Sequence, residues 1–407
     1  MTQIGSVWGG GPGDGYEALA RRFRPIFQRI REGAVERELS RTLPHEPIAW
    51  LKEARFGALR VPRADGGSGA TLPELFNLLI ELSEADSNVT QALRAHFGFA
   101  EDIVNSRSPA RRARWLPRLL DGETTGSAWT ETGQAKQAAF ATTVTRAADR
   151  ASVTGSKYYT TGSLFADWID IGASGEDGQS LSAVVSRHAP GVNVVDDWDG
   201  FGQILTASGT TVFAEAPVAP EDVVVDEDRF RYSAAFYQLV HLATLAGIGR
   251  AAANDVAKAV GERRRSYTNA PAPLPSQDAQ VLQVVGRVRG AAYSAGAIVL
   301  KAAEALQRAF DQRFAGDEAA EEQANAIAEL EVAQAQTVVS NLILDAVTLL
   351  FDALGASATR RAAAFDRYWR NARTLSSHNP RIYKDRIVGD FAVNGTPPPY
   401  QWRIGEA

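Results

Sequence analysis

The stretch GSAWTETGQAKQAAFATTVTRAADRASVTGSKYYTTGS, residues 126–163, decides the architecture, because helical sequence lies on both sides of it. It opens with a loop of small residues bearing Trp129, Thr130 and Glu131. It continues through two alternating runs, 139–145 and 151–157, and closes on Tyr158, Tyr159 and a Thr-Thr-Gly turn. Alternation of apolar and polar residues predicts half-buried strands. A short β module between two helical blocks points to a site where they meet, since small-molecule sites form in clefts between domains.

Upstream of this stretch, Leu19, Phe23, Ile26, Phe27 and Ile30 recur at three- and four-residue spacing. They predict an amphipathic helix from Tyr16 to about Leu39, kinked at Pro25. Helices are expected at 47–54, 72–86, 88–105 and 111–120, with a Gly-rich turn, LRVPRADGGSG, at 59–69. Downstream, strands are expected at 168–173, 181–186, 192–195 and 210–214; short strands with frequent turns predict an antiparallel barrel or sandwich. Helices return from 232 to 312, and 318–354 reads as one long helix. A basic, Pro-rich connection lies at 263–275, a last helix at 360–373, and a mostly irregular tail at 376–407 that packs on a neighbour or over a site. The Gly-rich residues 1–15 read as a flexible tail. The expected division is 1–122 helical, 123–228 β, 229–375 helical bundle and 376–407 tail near the site.

The chain has 407 residues, more than one hydrophobic core accommodates. With 43 basic and 48 acidic side chains the net charge is −5, without the basic excess of a nucleic-acid or anionic-membrane binder. The sequence has no cysteine, which excludes disulfides, thiolate nucleophiles, iron–sulfur clusters and Cys-zinc sites and fits a cytoplasmic protein. The start, MTQIGSVWGGGPGDG, does not read as a signal peptide, and no unbroken run of about 18 apolar residues predicts a membrane span. Histidines 45, 96, 188, 241 and 378 are too dispersed for a metal-ligand motif.

Several residues carry two readings. His96, in an apolar helix, is either a core histidine or a proton shuttle in an aromatic pocket. His378, beside Asn379 and Pro380, is either part of an ordinary turn or of a polar cluster placed by a helix end. Arg263, Arg264 and Arg265 are a solvated face or a phosphate site. Trp129, Thr130, Tyr159 and Thr161 are strand residues or pocket residues. Composition and spacing stop at a helical protein with a β insert and an aromatic pocket.

The motifs in their order resemble the acyl-CoA dehydrogenase fold family over nearly the whole chain. Residues 59–69 resemble its Pro-to-Gly-Gly-x-Gly turn, AWTE (128–131) its Thr-Glu-Pro flavin loop, and GSKYYTTG (155–162) its Gly-x-Lys-x-Trp segment. Glu262-Arg263 opens its Arg-containing turn, and RNAR (370–373) is similar to its Arg-Asp-x-Arg helix. The resemblance implies a mainly α fold with a central antiparallel β domain: helical N-domain, β-barrel middle domain and C-terminal four-helix bundle, assembled as a homotetramer. It also implies a catalytic carboxylate, and Asn379 stands where that Glu is usual; Asn cannot act as the base. NARTLSSHNP (371–380), Tyr383-Lys384, AHFG (95–98) and GQILTASG (202–209) instead resemble the flavin-dependent monooxygenase branch, which includes dibenzothiophene and indole-type monooxygenases.

That branch implies a two-component system in which a separate reductase supplies reduced FMN, with reduced FAD as the alternative. O2 adds at the flavin C4a carbon to give a hydroperoxyflavin, and one oxygen atom passes to an apolar aromatic, indole or sulfur-heterocycle substrate. Such chemistry needs a dry, shaped site, and the protein positions and shields while the flavin reacts. The roles implied are His96 and His378 at the flavin face as catalytic groups, and Thr161 near flavin N5. Ser127, Trp129, Thr130 and Tyr159 hold the ring edge, Arg263 and Arg265 the phosphate, with help from Arg370 and Arg373. Phe97, Phe99, Phe236 and Tyr237 line the substrate cavity. The alternatives are an acyl-CoA dehydrogenase or oxidase with a displaced base, an amine N-hydroxylase on the same fold, and a catalytically silent scaffold.

Overall fold

The computed structural model describes residues 8–132, 139–147, 150–225 and 229–400. The flexible tail expected at 1–15 lies partly outside the described residues, as does the end of the C-terminal tail. The first block is helical: α1 (Tyr16–Glu32), α2 (Ala34–Ser40), α3 (His45–Glu53), α4 (Leu72–Ala85), α5 (Ser87–Ala92), α6 (Arg94–Asn105) and α7 (Pro109–Leu120). The first helix runs on through Pro25 and ends at Gly33, so the break falls at the glycine instead. The single helix expected at 88–105 is split at Leu93 into α5 and α6, which puts Arg94 at the start of α6. In the 59–69 turn, Gly66 and Gly69 have φ of 92° and 58°, and a Cβ on Gly67 would fall 2.1 Å from the Val61 carbonyl oxygen. Side chains are excluded there by backbone conformation at two positions and by close approach at the third.

The β module comprises β1 (Thr125–Ala128), β2 (Thr143–Arg146), β3 (Ala151–Lys157), β4 (Trp168–Ser174), β5 (Ser180–Ser186), β6 (Val192–Val194), β7 (Thr211–Val218) and β8 (Val223–Val225). The order is β6-β7-β3-β2-β4-β5-β8, with β1 paired to β4. The purely antiparallel expectation is corrected. β1 runs parallel to β4, with Thr125 opposite Trp168, and β2 meets β4 in one parallel pair, Thr143 opposite Ser174. β1, β2 and β4 therefore share a direction, and β3, antiparallel to β2, runs against them. Inward residues Val144, Val153, Ile169, Ile171, Val185 and Phe213 fill the module's own core. Phe99 and Trp115 pack with Val184 and Trp168, joining the module to α6 and α7.

The chain then forms α8 (Ser233–Glu262), α9 (Ala279–Gln312) and α10 (Glu318–Leu354), followed by α11 (Asp366–Ser377) and α12 (Lys384–Asn394). α8 is buried on nearly every turn, as expected of a helix apolar all round, and α4, α9 and α10 pack against it. An 18-residue window of α10, of mean hydropathy 1.7, is apolar enough to cross a membrane by length and composition. In this fold the helix packs on α8 and α9. The tail is not mostly irregular: α12 occupies 384–394 and ends at Gly395, φ 74°. Ile387, Val388 and Phe391 recur at helical spacing there, and the prolines on either side mask the pattern.

The segment GQILTASG (202–209) ties the three blocks together. The Gln203 amide donates to Asn371 Oδ1 at 2.6 Å, Gln203 Nε2 to Ser87 Oγ at 3.1 Å, and the Leu205 amide to Asn88 Oδ1 at 3.3 Å. Back in the β module, the Gly162 amide donates to the Thr206 carbonyl and the Thr160 amide to the Gly209 carbonyl, each at 3.1 Å.

Candidate active site

Three segments meet around His378: the start of α6, the first turns of α8 and the end of α11. Arg94 Nη2 lies 3.4 Å from His378 Nε2, and His378 Nδ1 lies 3.0 Å from Asn379 Oδ1. Asn379 Nδ2 in turn donates to Gln238 Oε1. An arginine only donates, so His378 Nε2 must accept and the ring proton sits on Nδ1. Every later link then has one donor and one acceptor, running Arg94, His378, Asn379, Gln238. His378 is exposed as a residue, yet desolvation by the groups packed against its ring and the Arg94 charge push its pKa down to about 4. His241 is fully buried, stacks at a tilt 4.4 Å from His378, and has no hydrogen-bond partner at either ring nitrogen among the described residues. Burial, then His378 and Arg94, hold its pKa well below the usual histidine range. Tyr237 fills the space above Gly98, where a Cβ would fall 2.1 Å from its ring, and its hydroxyl is pushed up to about 12 by burial.

The β module reaches the junction of α5 and α6 through the Thr-Thr-Gly turn. Gly162, φ 79°, packs so closely on the Ala92 carbonyl at the end of α5 that a Cβ would fall 1.9 Å from it. Next to it, Thr161 Oγ1 lies 2.7 Å from Ser208 Oγ, which lies 2.7 Å from Thr206 Oγ1. Trp129 is held by its Nε1 donating to Asp170 Oδ2 at 3.0 Å, while Arg229 pairs with Asp170 and covers the indole face at 4.2 Å. Thr130 bridges Tyr158, and Ser127 accepts from Ser163 Oγ through its carbonyl. Tyr159, φ 58°, is half exposed against Trp198. Glu131 accepts from Lys157 Nζ at 2.6 Å and from the Ala141 and Thr142 amides. It is spent on structure.

Other expected residues lie elsewhere. His96 is in the core: Nδ1 accepts from the Thr125 amide at 3.3 Å, and a Cβ on Gly57 would fall 2.0 Å from Nε2. Two positions apart on a helix is about 200°, so His96 and Arg94 leave α6 on opposite sides and His96 is not brought to His378. Burial depresses its pKa to about 4. Phe97, Phe99 and Phe236 are buried in packed clusters against Phe56, Trp115 and Phe76, leaving Tyr237 as the aromatic side chain of that set at the cleft. Arg263 donates to the Ala353 and Leu354 carbonyls at the end of α10, and Arg370 pairs with Glu38 and Asp366. Arg265 is exposed and Arg373 partly so, and neither has an ion-pair partner among the described residues.

Comparison with known proteins matches residues 16–123 to the acyl-CoA dehydrogenase N-terminal domain and residues 239–380 to the acyl-CoA dehydrogenase C-terminal domain. The chain belongs to the acyl-CoA dehydrogenase family. Among its relatives, a dibenzothiophene monooxygenase of Mycolicibacterium goodii is 26% identical over 388 residues, covering 91% of this chain and 92% of that one. A probable FMNH2-dependent monooxygenase, SfnC, of Pseudomonas putida is 26% identical over 384 residues, covering 92% and 94%. The crystal structure of FMN-bound TdsC from Paenibacillus sp. A11-2 superposes with a TM-score of 0.86 at 25% identity, covering 94% of this chain and 99% of that one.

Within this family fold, the sequence reading missed Arg94, Gln238, His241 and Ser208. Arg94 had a signal: it is the one cation in the apolar run 88–100. Gln238 and His241 share a face of α8 at i and i+3, but both sit in a uniformly apolar stretch that reads as core.

Proposed function

We propose that this protein is the oxygenase component of a two-component, reduced-flavin-dependent monooxygenase. The observation that carries this reading is the group at the end of α11. A dehydrogenase needs a carboxylate there, and this chain presents a neutral His378 whose Nδ1–H is held by Asn379, with Arg94, Tyr237 and Gln238 supplying the other polar atoms of the cluster. Whole-length likeness to proteins named as monooxygenases supports it.

The residues fit a flavin in part. The Thr161–Ser208 hydroxyl pair and the half-buried Ser127, Trp129 and Thr130 offer donors for a polar ring edge, and Arg265 and Arg373 are cations left for a phosphate. Reduced flavin, when bound, supplies the activation of O2; reduced FMN is favoured, FAD being the alternative, and a separate reductase provides it. The chain's own part is to keep water out and to hold His378 neutral and oriented. We further propose the division 1–122, 123–228, 229–375 and 376–407, a homotetramer and a cytoplasmic location. The aromatic-cavity reading of the substrate loses the support of Phe97, Phe99 and Phe236.

The test is to supply chemically reduced FMN or FAD aerobically and measure oxygenated product against hydrogen peroxide across aromatic and organosulfur compounds. Product above the free-flavin background supports the reading. Peroxide alone from every compound, with bleaching of tightly bound FAD by an acyl-CoA, would replace it with the dehydrogenase reading.

A further inference from the structure

Arg94 has no carboxylate within ion-pairing distance among the described residues; its side chain meets the His378 Nε2 atom at 3.4 Å and the Tyr237 ring at 5.1 Å. By contrast, three buried or part-buried arginines of the helical block and the β module have carboxylate partners. Arg229 pairs with Asp170, Arg111 with Asp102 and Arg60 with Glu101. Arg94 is partly buried, and a partly desolvated guanidinium without a counter-charge is well matched to an anion that can reach it. We propose that Arg94 receives an oxyanion head group, a carboxylate, sulfinate or sulfonate, on the substrate of this site. The inference rests on the cleft being the substrate cleft of the reading above.

The surroundings suit such a ligand. Guanidinium presents paired N–H donors that match two oxygens of a carboxylate or sulfur oxyanion. Its present partner, His378 Nε2, is a single neutral acceptor at long range, which an incoming anion displaces at little loss. Tyr237, laid over Gly98, gives a flat wall for an aromatic or aliphatic body next to the charge. The head group at Arg94 then seats that body beside His378 and His241. The accepted substrate is accordingly an organic anion, not the wholly apolar heterocycle that family resemblance suggests.

The experiment is calorimetric titration of the wild-type protein, with and without FMN, using benzoate, benzenesulfinate and benzenesulfonate against benzamide and indole. At least one anion is expected to bind about tenfold or more tighter than benzamide, the size of a charge-assisted hydrogen bond. Arg94→Gln should abolish the preference and Arg94→Lys keep part of it, both with unchanged affinity for reduced FMN. No anion preference in the wild type overturns the proposal, and that arm needs no variant to fold. A preference that survives in Arg94→Gln, or a loss of reduced-FMN affinity in place of anion preference, also overturns it. An anion preference lost in Arg94→Gln, in a protein that yields no oxygenated product, upholds Arg94 and sinks the monooxygenase reading.

Discussion

The proton on His378 is fixed by a neighbour that cannot accept one. Arg94 forces Nε2 to be the acceptor, Asn379 takes the Nδ1–H, and Gln238 fixes the amide of Asn379. If this neutral, oriented imidazole handles protons in turnover, His378→Ala should divert reducing equivalents to peroxide. Product per reduced flavin should fall by on the order of tenfold or more, within the usual range for a general acid or base. Melting temperature and reduced-FMN affinity should change little, because His378 is exposed. Equal product yield from the two proteins would remove His378 from the chemistry. The same pair sets an acid limit. The pKa of His241 is held well below its ordinary value of about 6.5 and that of His378 at about 4. A depressed folded pKa gives stability that is full above about 6.5 and is lost as the pH falls toward 4. His241→Leu removes one of the two groups, so its thermal stability should fall less steeply between pH 6.5 and 4.5 than that of the wild type. His378 was legible as part of a cluster because its neighbours in sequence are polar; Arg94 stood out only as a lone cation and His241 not at all, because their partners come from other elements.

At the scale of elements, the helical periodicity and the strand alternation were readable, and β3 and α10 have the bounds expected of them. Less readable were β1, four residues of small side chains with no alternation, and the parallel pairing that follows from it. Pairing direction depends on where a connection returns, which local pattern does not encode. A cap between elements is likewise invisible in sequence. Glu329, in the middle of α10, accepts from the Ala235 amide in the first turn of α8 at 2.8 Å. Burial pushes its pKa up to about 8, against the pull of the Ala235 amide and Lys384. With the folded pKa raised, stability is full below the ordinary carboxylate value and is lost as the pH rises toward 8. Glu329→Gln keeps an acceptor and removes the charge. Melting temperatures measured from pH 5 to 9 should decline for the wild type and stay flatter for the variant; parallel curves would show that Glu329 does not titrate in this range.

The whole molecule depends on two kinds of contact between blocks. The first is the 202–209 strap, whose Gln203 amide is buried on Asn371. Asn371→Ala strands that N–H and should cost about 1–3 kcal/mol in denaturant unfolding; an unchanged midpoint would mean water or another group replaces the amide. The second is the surface that the single chain leaves open. α12 has eleven residues and none fully buried, and an isolated helix of that length is marginal in water. It rests against α10, yet Val393 is 82% exposed and Ile382, just before the helix, 76%. Phe391 is also exposed, as are Leu282 and Tyr293 on α9 and Val338 on α10. A second copy of this chain is the occupant that the proposed tetramer requires, and it would bury the outer side of α12 close to the segment that carries His378. Light scattering of the purified protein should therefore give a mass near four times 43.8 kDa. The double variant Ile382→Asp, Val393→Asp places two charges where apolar surface is expected to be covered, and it should lower that mass and the melting temperature together. A wild-type protein that scatters as a monomer, or a double variant with undiminished mass, would leave α12 without its partner and confine the site to what one chain supplies.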